Sequence, residues 1–110
     1  MKSDSALDSL SALAHPTRLD AFRRLVRSEP DGLYTGQLVE ASGLSQSTFS
    51  SHLAILVGVG LVISEKRGRQ MIQRANIDAL RELMLFLAKD CCEGRAELCE
   101  PLVAELSLCC

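Results

Sequence analysis

Apolar residues recur at helical spacing in five stretches of the chain and cluster at strand-like spacing in a sixth, with glycine, proline and serine between them. Leu7, Leu10 and Leu13, with Ala6 and Ala14 nearby, predict a short amphipathic helix over 5–14 that His15 and Pro16 break. Pro16 suits the first turn of a second helix, whose apolar face is Leu19, Phe22, Leu25 and Val26. His15 then reads as a residue of the helix junction rather than a ligand, and Glu29 to Gly32 as a turn. Thr35 is placed to cap a third helix carrying Leu38 and Val39 inward, and Gly43 stands where that helix must stop in a left-handed conformation. Ser45 caps a fourth helix on which Phe49, Leu53 and Leu56, at i, i+4 and i+7, form one buried stripe ended by Gly58 and Gly60. Leu61 to Ile63 and Met71 with Ile72, around a turn at Gly68, predict a β-hairpin over 61–74. Asn76 caps a last helix with the stripe Ile77, Leu80, Leu83, Met84 and Leu87, which one more turn carries to Cys91 before Gly94 stops it.

The fourth helix carries the first functional signal. Opposite its apolar stripe lie Gln46, Ser47, Ser50 and Ser51, short, polar and uncharged, and side chains of this kind hydrogen-bond to base edges in a major groove. Two short helices joined by a tight turn, the second with such a face, form the helix-turn-helix pattern; a helical hairpin with a solvated serine-rich face is the plainer reading. The hairpin that follows bears Lys66, Arg67 and Arg69 at its tip and Arg74 further down, which reads as a wing whose cations reach phosphates or the minor groove. Any one of these charges could instead serve to protect a sheet edge. The candidate DNA-binding residues are therefore Gln46, Ser47, Thr48, Ser50, Ser51 and His52 of the helix and Lys66, Arg67 and Arg69 of the wing. The expected fold is mainly α with a small β-hairpin: a winged helix-turn-helix over residues 1–93, dimerising through its first and last helices, and a cysteine-rich tail over 94–110.

Composition supports a packed domain: 110 residues, 47% of them hydrophobic, suffice for one core. No apolar run is long enough to span a bilayer and the opening MKSDSALDSL is too polar for a signal peptide, so a cytoplasmic protein without a membrane partner is expected. The net charge of −2 is unevenly placed. Residues 1–89 hold 11 of the 12 Lys and Arg against 9 of the 14 Asp and Glu, so the acidity lies mostly in the tail and the body keeps a cationic excess.

All five cysteines, Cys91, Cys92, Cys99, Cys109 and Cys110, lie in the last 20 residues. In a cytosolic chain such a cluster points to metal or redox chemistry, and an odd count leaves one thiol outside any set of disulfides. Core filling accounts for Cys91 alone. A redox switch, a zinc site using four thiols and a thiol enzyme are the other readings, the last opposed by the lack of a Cys-x-x-Cys or of a His near any Cys in sequence.

The segments LSALAHPTRLDAFRRL, LVEASGLSQSTFSSHLAIL with its following GLV, and KRGRQ resemble, in kind and order, the ArsR/SmtB family of small metal-responsive winged-helix repressors over residues 10–89. The resemblance implies a homodimer on an operator inverted repeat, no cofactor for DNA binding, and release of DNA by a metal or metalloid. Two effector sites of the family have no counterpart: Leu38 to Ser42 contain no thiol, and His15 and His52 do not supply the Asp and His pairs of the zinc site on the last helix. Cys91, Cys92 and Cys99 resemble instead the vicinal pair and third thiol of members that sense trivalent arsenic or antimony, so the inducer implied is arsenite or antimonite, with bismuth or zinc and a redox signal as alternatives. Soft thiolates select soft centres, and trivalent arsenic is complete with three sulfurs where structural zinc takes four ligands. Adjacent helical residues point about 100° apart, so a shared centre requires the helix end near Gly94 to bend. Cys109 and Cys110 are possible additional thiols without an assigned role.

Overall fold

The computed structural model describes residues 1–90 together with Glu97, Glu100, Pro101, Ala104, Glu105 and Leu106. Its helices are α1 (Ser3–Leu13), α2 (Pro16–Arg27), α3 (Thr35–Ser42), α4 (Gln46–Gly58) and α5 (Ile77–Leu85), and its strands β1 (Leu33–Tyr34), β2 (Val62–Arg67) and β3 (Gln70–Ala75). The strands form one antiparallel sheet in the order β1-β3-β2. The architecture is the expected one, helical with a small sheet. Among the described residues no helix is long and apolar enough to cross a membrane.

Local chemistry accounts for most helix ends. His15 caps α2 by accepting the Thr17 N–H at Nδ1 (3.1 Å), with Pro16 in the first turn, where a missing N–H costs nothing. Ser45 Oγ accepts the Thr48 N–H (3.3 Å) at the start of α4, and Asn76 Oδ1 the Ala79 N–H (3.2 Å) at the start of α5. Gly43 ends α3 at φ 72°, the left-handed position the sequence assigns it. Thr35 is not the cap of α3. Tyr34 holds that position, its N–H donating to Gln37 Oε1 (2.8 Å), and the Thr35 hydroxyl turns toward the sheet instead.

β1 is the element the sequence conceals, because two residues are too few to show an alternation. It pairs Leu33 with Gln73 and Tyr34 with Ile72, and so makes β3 the central strand rather than half of a free hairpin. Gly32 makes the approach possible. At φ 77° a Cβ there would stand 2.6 Å from the Gln73 carbonyl oxygen and 3.0 Å from Ile72 Cγ2.

The core gathers Phe22 and Leu25 of α2, Leu38 of α3, Phe49, Leu53 and Leu56 of α4, and Leu61, Val62 and Ala75 around the sheet. Two sequence expectations shift here. Leu19 is exposed, with Ala21 taking the inner position on α2, and α1 meets the core through its small residues Ala6, Ser9 and Ala12, which leaves Leu7 62% and Leu10 38% exposed. Small side chains bring α1 close at the cost of turning its leucines outward.

Gly32→Ala is expected to lower stability by about 2–4 kcal/mol, combining left-handed strain with overpacking against β3. Gly36→Ala, with open space around it in α3, should be neutral or slightly stabilising. Urea unfolding with an unchanged slope measures both.

Candidate nucleic-acid interface

With Phe49, Leu53 and Leu56 buried, Gln46, Ser47, Thr48, Ser50 and Ser51 all lie on the exposed side of α4. Their commitments differ. Ser45 Oγ donates to Thr48 Oγ1 (2.9 Å) and lies 3.4 Å from Ser47 Oγ, so those two hydroxyls belong to the cap, while Ser51 Oγ donates to the Ser47 carbonyl (3.3 Å). Gln46 and Ser50 keep their polar groups available for a partner.

His52 sits apart from this group. It is half-buried, its Nδ1 lies 3.2 Å from Arg18 Nη1, and its ring centroid is 4.4 Å from that of His15. The sequence lists it with the exposed face; the structure turns it toward α2, because position 52 follows the buried stripe by three residues from Phe49 and leans the same way. Burial first, then His15 and Arg18, hold its pKa below the ordinary histidine value.

The wing places Lys66, Arg67 and Arg69 in solvent at its tip, around a two-residue loop, Gly68 and Arg69, closed by the Arg67–Gln70 pair. Arg74 has a different task. Its Nη2 lies 3.0 Å from Glu29 Oε2 and its Nη1 3.5 Å from Glu65 Oε1, so it ties β3 to the turn after α2 and to β2. The hydrogen bond and charge of Glu29 raise its pKa still further.

Between the start of α3, the first residue of α4 and the wing tip lies an open cleft of about 720 Å³, into which Gln46 and Arg69 both face, with Tyr34, Glu40 and Gln70 on its walls. An amide of the kind suited to base edges and a guanidinium of the kind suited to phosphates thus share one concave surface, although they lie 23 positions apart in sequence.

The wing is held at that distance by a polar relay the sequence does not reveal. Gln73 is 3% exposed. Its Nε2 donates to Thr35 Oγ1 (3.0 Å), its Oε1 accepts from Ser64 Oγ, and Thr35 Oγ1 donates to the Met71 carbonyl (3.4 Å). Among the described residues no buried side-chain polar atom lacks a partner, so this network is complete and rigid.

On α5 the expected single stripe divides. Leu83 is 3% exposed, whereas Met84, Leu85 and Leu87 are exposed, and Ile77, Ala79 and Leu80 pack against the core. Leu80, Met84 and Leu85 line an apolar cleft of about 330 Å³, which Leu106 also lines. The α-helix ends at Leu85 and continues as a π-helical turn, Phe86–Asp90; the expected extension of the stripe to Cys91 lies outside the described residues. All five cysteines lie outside the described residues, and among the described ones no three His, Cys, Asp or Glu side chains converge as metal donors.

Comparison with known proteins agrees with this geometry. A family model for a helix-turn-helix domain matches residues 13–65. The chain is 44% identical over 70 residues to the HTH-type transcriptional regulator CmtR of Mycobacterium tuberculosis, a match that covers 62% of this chain and spans 56% of CmtR. It is 29% identical over 98 residues to a probable mercury resistance operon repressor of Streptomyces lividans, covering 81% of this chain and 76% of that protein. Among solved structures, the homodimeric winged helix-turn-helix DNA-binding domain of Mb0332 from Mycobacterium bovis, a possible ArsR-family regulator, superposes with a TM-score of 0.64 at 25% identity over 76% of each chain.

Proposed function

The chain belongs to the ArsR family of winged helix-turn-helix transcriptional regulators, and we propose that it is a dimeric repressor of an operator inverted repeat, released when trivalent arsenic or antimony binds its C-terminal thiolates. The family is one of DNA-binding regulators, not of enzymes. The observation that carries the DNA reading is the shared cleft. Gln46 at the entry of α4 can reach base edges while Arg69 reaches the adjoining backbone, the division of labour that sequence-specific binding needs.

Dimerisation is supported by the apolar surface that one subunit leaves uncovered. Leu7 and Leu10 of α1 and Met84 and Leu85 of α5 are each 38% exposed or more. Pairing these faces across a two-fold axis would bury them and present two copies of α4, which must lie about one DNA turn apart to read an inverted repeat.

For the effector, Cys91, Cys92 and Cys99 would form the pyramid of three sulfurs that trivalent arsenic or antimony accepts. The donor set favours a soft centre, since the cluster offers thiols and neither His15 nor His52 lies near it in sequence. Mercury is a second reading, favoured by the similarity to the Streptomyces lividans protein, and it too is a thiophilic ion. Residues 94–110 would then complete the site, with the DNA surface some 20 residues or more upstream in the chain, and α5 would carry the coupling between them.

Gln46→Ala or Ser50→Ala should cost about 1–3 kcal/mol on the preferred duplex alone, whereas Arg69→Ala should weaken all duplexes and reduce the salt slope by about one. Anisotropy titrations that find no preference for any inverted repeat over random duplex reject the DNA reading. Leu85→Glu should leave the core intact and give a folded monomer in sedimentation; an intact dimer moves the interface elsewhere. Cys91→Ser, Cys92→Ser or Cys99→Ser should keep operator affinity and abolish release by arsenite, while Cys109→Ser with Cys110→Ser should still respond. Release requires only about 1.4–2.7 kcal/mol of coupling for tenfold to hundredfold. Release by mercury but not by arsenite selects the second reading. Release by peroxide, reversed by dithiothreitol, makes the cluster a redox switch.

A further inference from the structure

Where α1, α2 and α4 meet, two histidines and one arginine make a set of contacts that the DNA surface does not use. Arg18 Nε donates to the Ala12 carbonyl at the C-terminal end of α1 (2.6 Å), and its Nη1 lies 3.2 Å from His52 Nδ1 on α4. A guanidinium can only donate, so His52 Nδ1 must accept, which it does only as neutral imidazole with its proton on Nε2. The His15 ring packs against that of His52, 4.4 Å between centroids and tilted 35°, its own Nδ1 occupied by the Thr17 N–H. One side chain of α2 thus spans the helix that carries Leu7 and Leu10 and the helix that carries Gln46 and Ser50.

We propose that Arg18 is a positioning residue that brackets the recognition helix α4 to α1 through His52, and that the bracket holds only while His52 is neutral, so that acid weakens sequence-specific DNA binding. This rests on the reading of the chain as an operator-binding dimer. If α1 lies at the two-fold axis, the angle between α1 and α4 sets the separation of the two recognition helices, and an inverted repeat tolerates little change in it. Protonating His52 would place a donor against the Arg18 donor, removing a hydrogen bond and adding a cation beside a cation. The groups that bear on the ring by charge are His15, the cap of α2, and Arg18 of α2; among the described residues none comes from α1, α3 or β2, so no carboxylate compensates the added charge. The same environment already disfavours the imidazolium, burial acting most strongly.

The sign of the effect separates this device from general electrostatics. Positive charge gained at low pH ordinarily strengthens DNA binding. The chain has two histidines, so few other groups titrate in the window. The test uses the full chain and a duplex that the wild type selects from a randomised pool at pH 7.5, with a random duplex of equal length as reference, titrated at pH 7.5 and 5.0 at constant ionic strength. Wild-type affinity for the selected duplex should fall about tenfold at the lower pH, a modest allosteric coupling, while the random duplex binds as well or better. His52→Gln, whose amide oxygen can still accept from Arg18, should lose that fall. Arg18→Met should weaken the selected duplex about tenfold already at pH 7.5 while remaining dimeric in sedimentation, and Arg18→Lys should recover part of the loss. If Arg18→Met fails to fold by circular dichroism, the wild-type and His52→Gln pH profiles still decide. A selected-duplex affinity that holds or rises as pH falls, or an equal fall in His52→Gln, overturns the bracket. A wild type that selects no duplex overturns the DNA reading instead.

Discussion

The structure depends on one stripe of α4 being buried. Phe49 and Leu56 are at most 1% exposed and Leu53 8%, packed against Leu25 of α2 and Leu38 of α3, and each large side chain so buried is worth about 1.5–3 kcal/mol. The stripe fixes the rotation of α4 about its axis. With it held inward, Gln46 and Ser50 have no inward alternative, so the energy that folds the domain also presents its polar face. α4 carries no charged residue of its own. Charge enters the interface from the wing, and the wing must therefore be held in register with the helix.

Two braces do this, and both are polar. Gln73 links Thr35 at the start of α3 to Ser64 on β2, and Arg74, the next residue, links β3 to Glu29 and Glu65. They emerge on opposite sides of the central strand, as neighbouring strand residues must. The buried relay contributes more to geometry than to stability, because a satisfied hydrogen bond adds about 1 kcal/mol whereas an orphaned amide in its place would cost up to about 3. Half-exposed Arg74 is screened and its ion pairs are modest. Their common effect is to keep Arg69 and Gln46 facing across one cleft.

An uncharged helix, a cationic wing and an acidic cysteine-bearing tail divide the chemistry of the chain among separate segments. α5 joins them. Its first turns pack on the core at Ile77 and Leu80, and Met84 and Leu85 further along are open. The exposed apolar residues of the helix thus gather toward its C-terminal end. The π-helical turn at Phe86–Asp90 stands at that end, where such turns often mark functional positions.

What the sequence by itself determined are the features set by near neighbours. The Ser45 and Asn76 caps, the left-handed stop at Gly43, the stripe of Phe49, Leu53 and Leu56, and the turn at Gly68 each follow from side chains within one or two turns. The helix-turn-helix and the wing were legible for that reason, and so was the cationic tip. Tertiary structure decided what depends on the element lying across from a residue. It converted Thr35 from a cap into a link of the Gln73 relay, drew Leu33 and Tyr34 into a strand, buried Leu83 while exposing Leu19, and turned His52 away from the serines beside it to meet Arg18 from 34 residues earlier in the chain. Periodicity states that a face is apolar or polar; which neighbour covers it is a matter of packing between segments distant in sequence, and no local pattern encodes that.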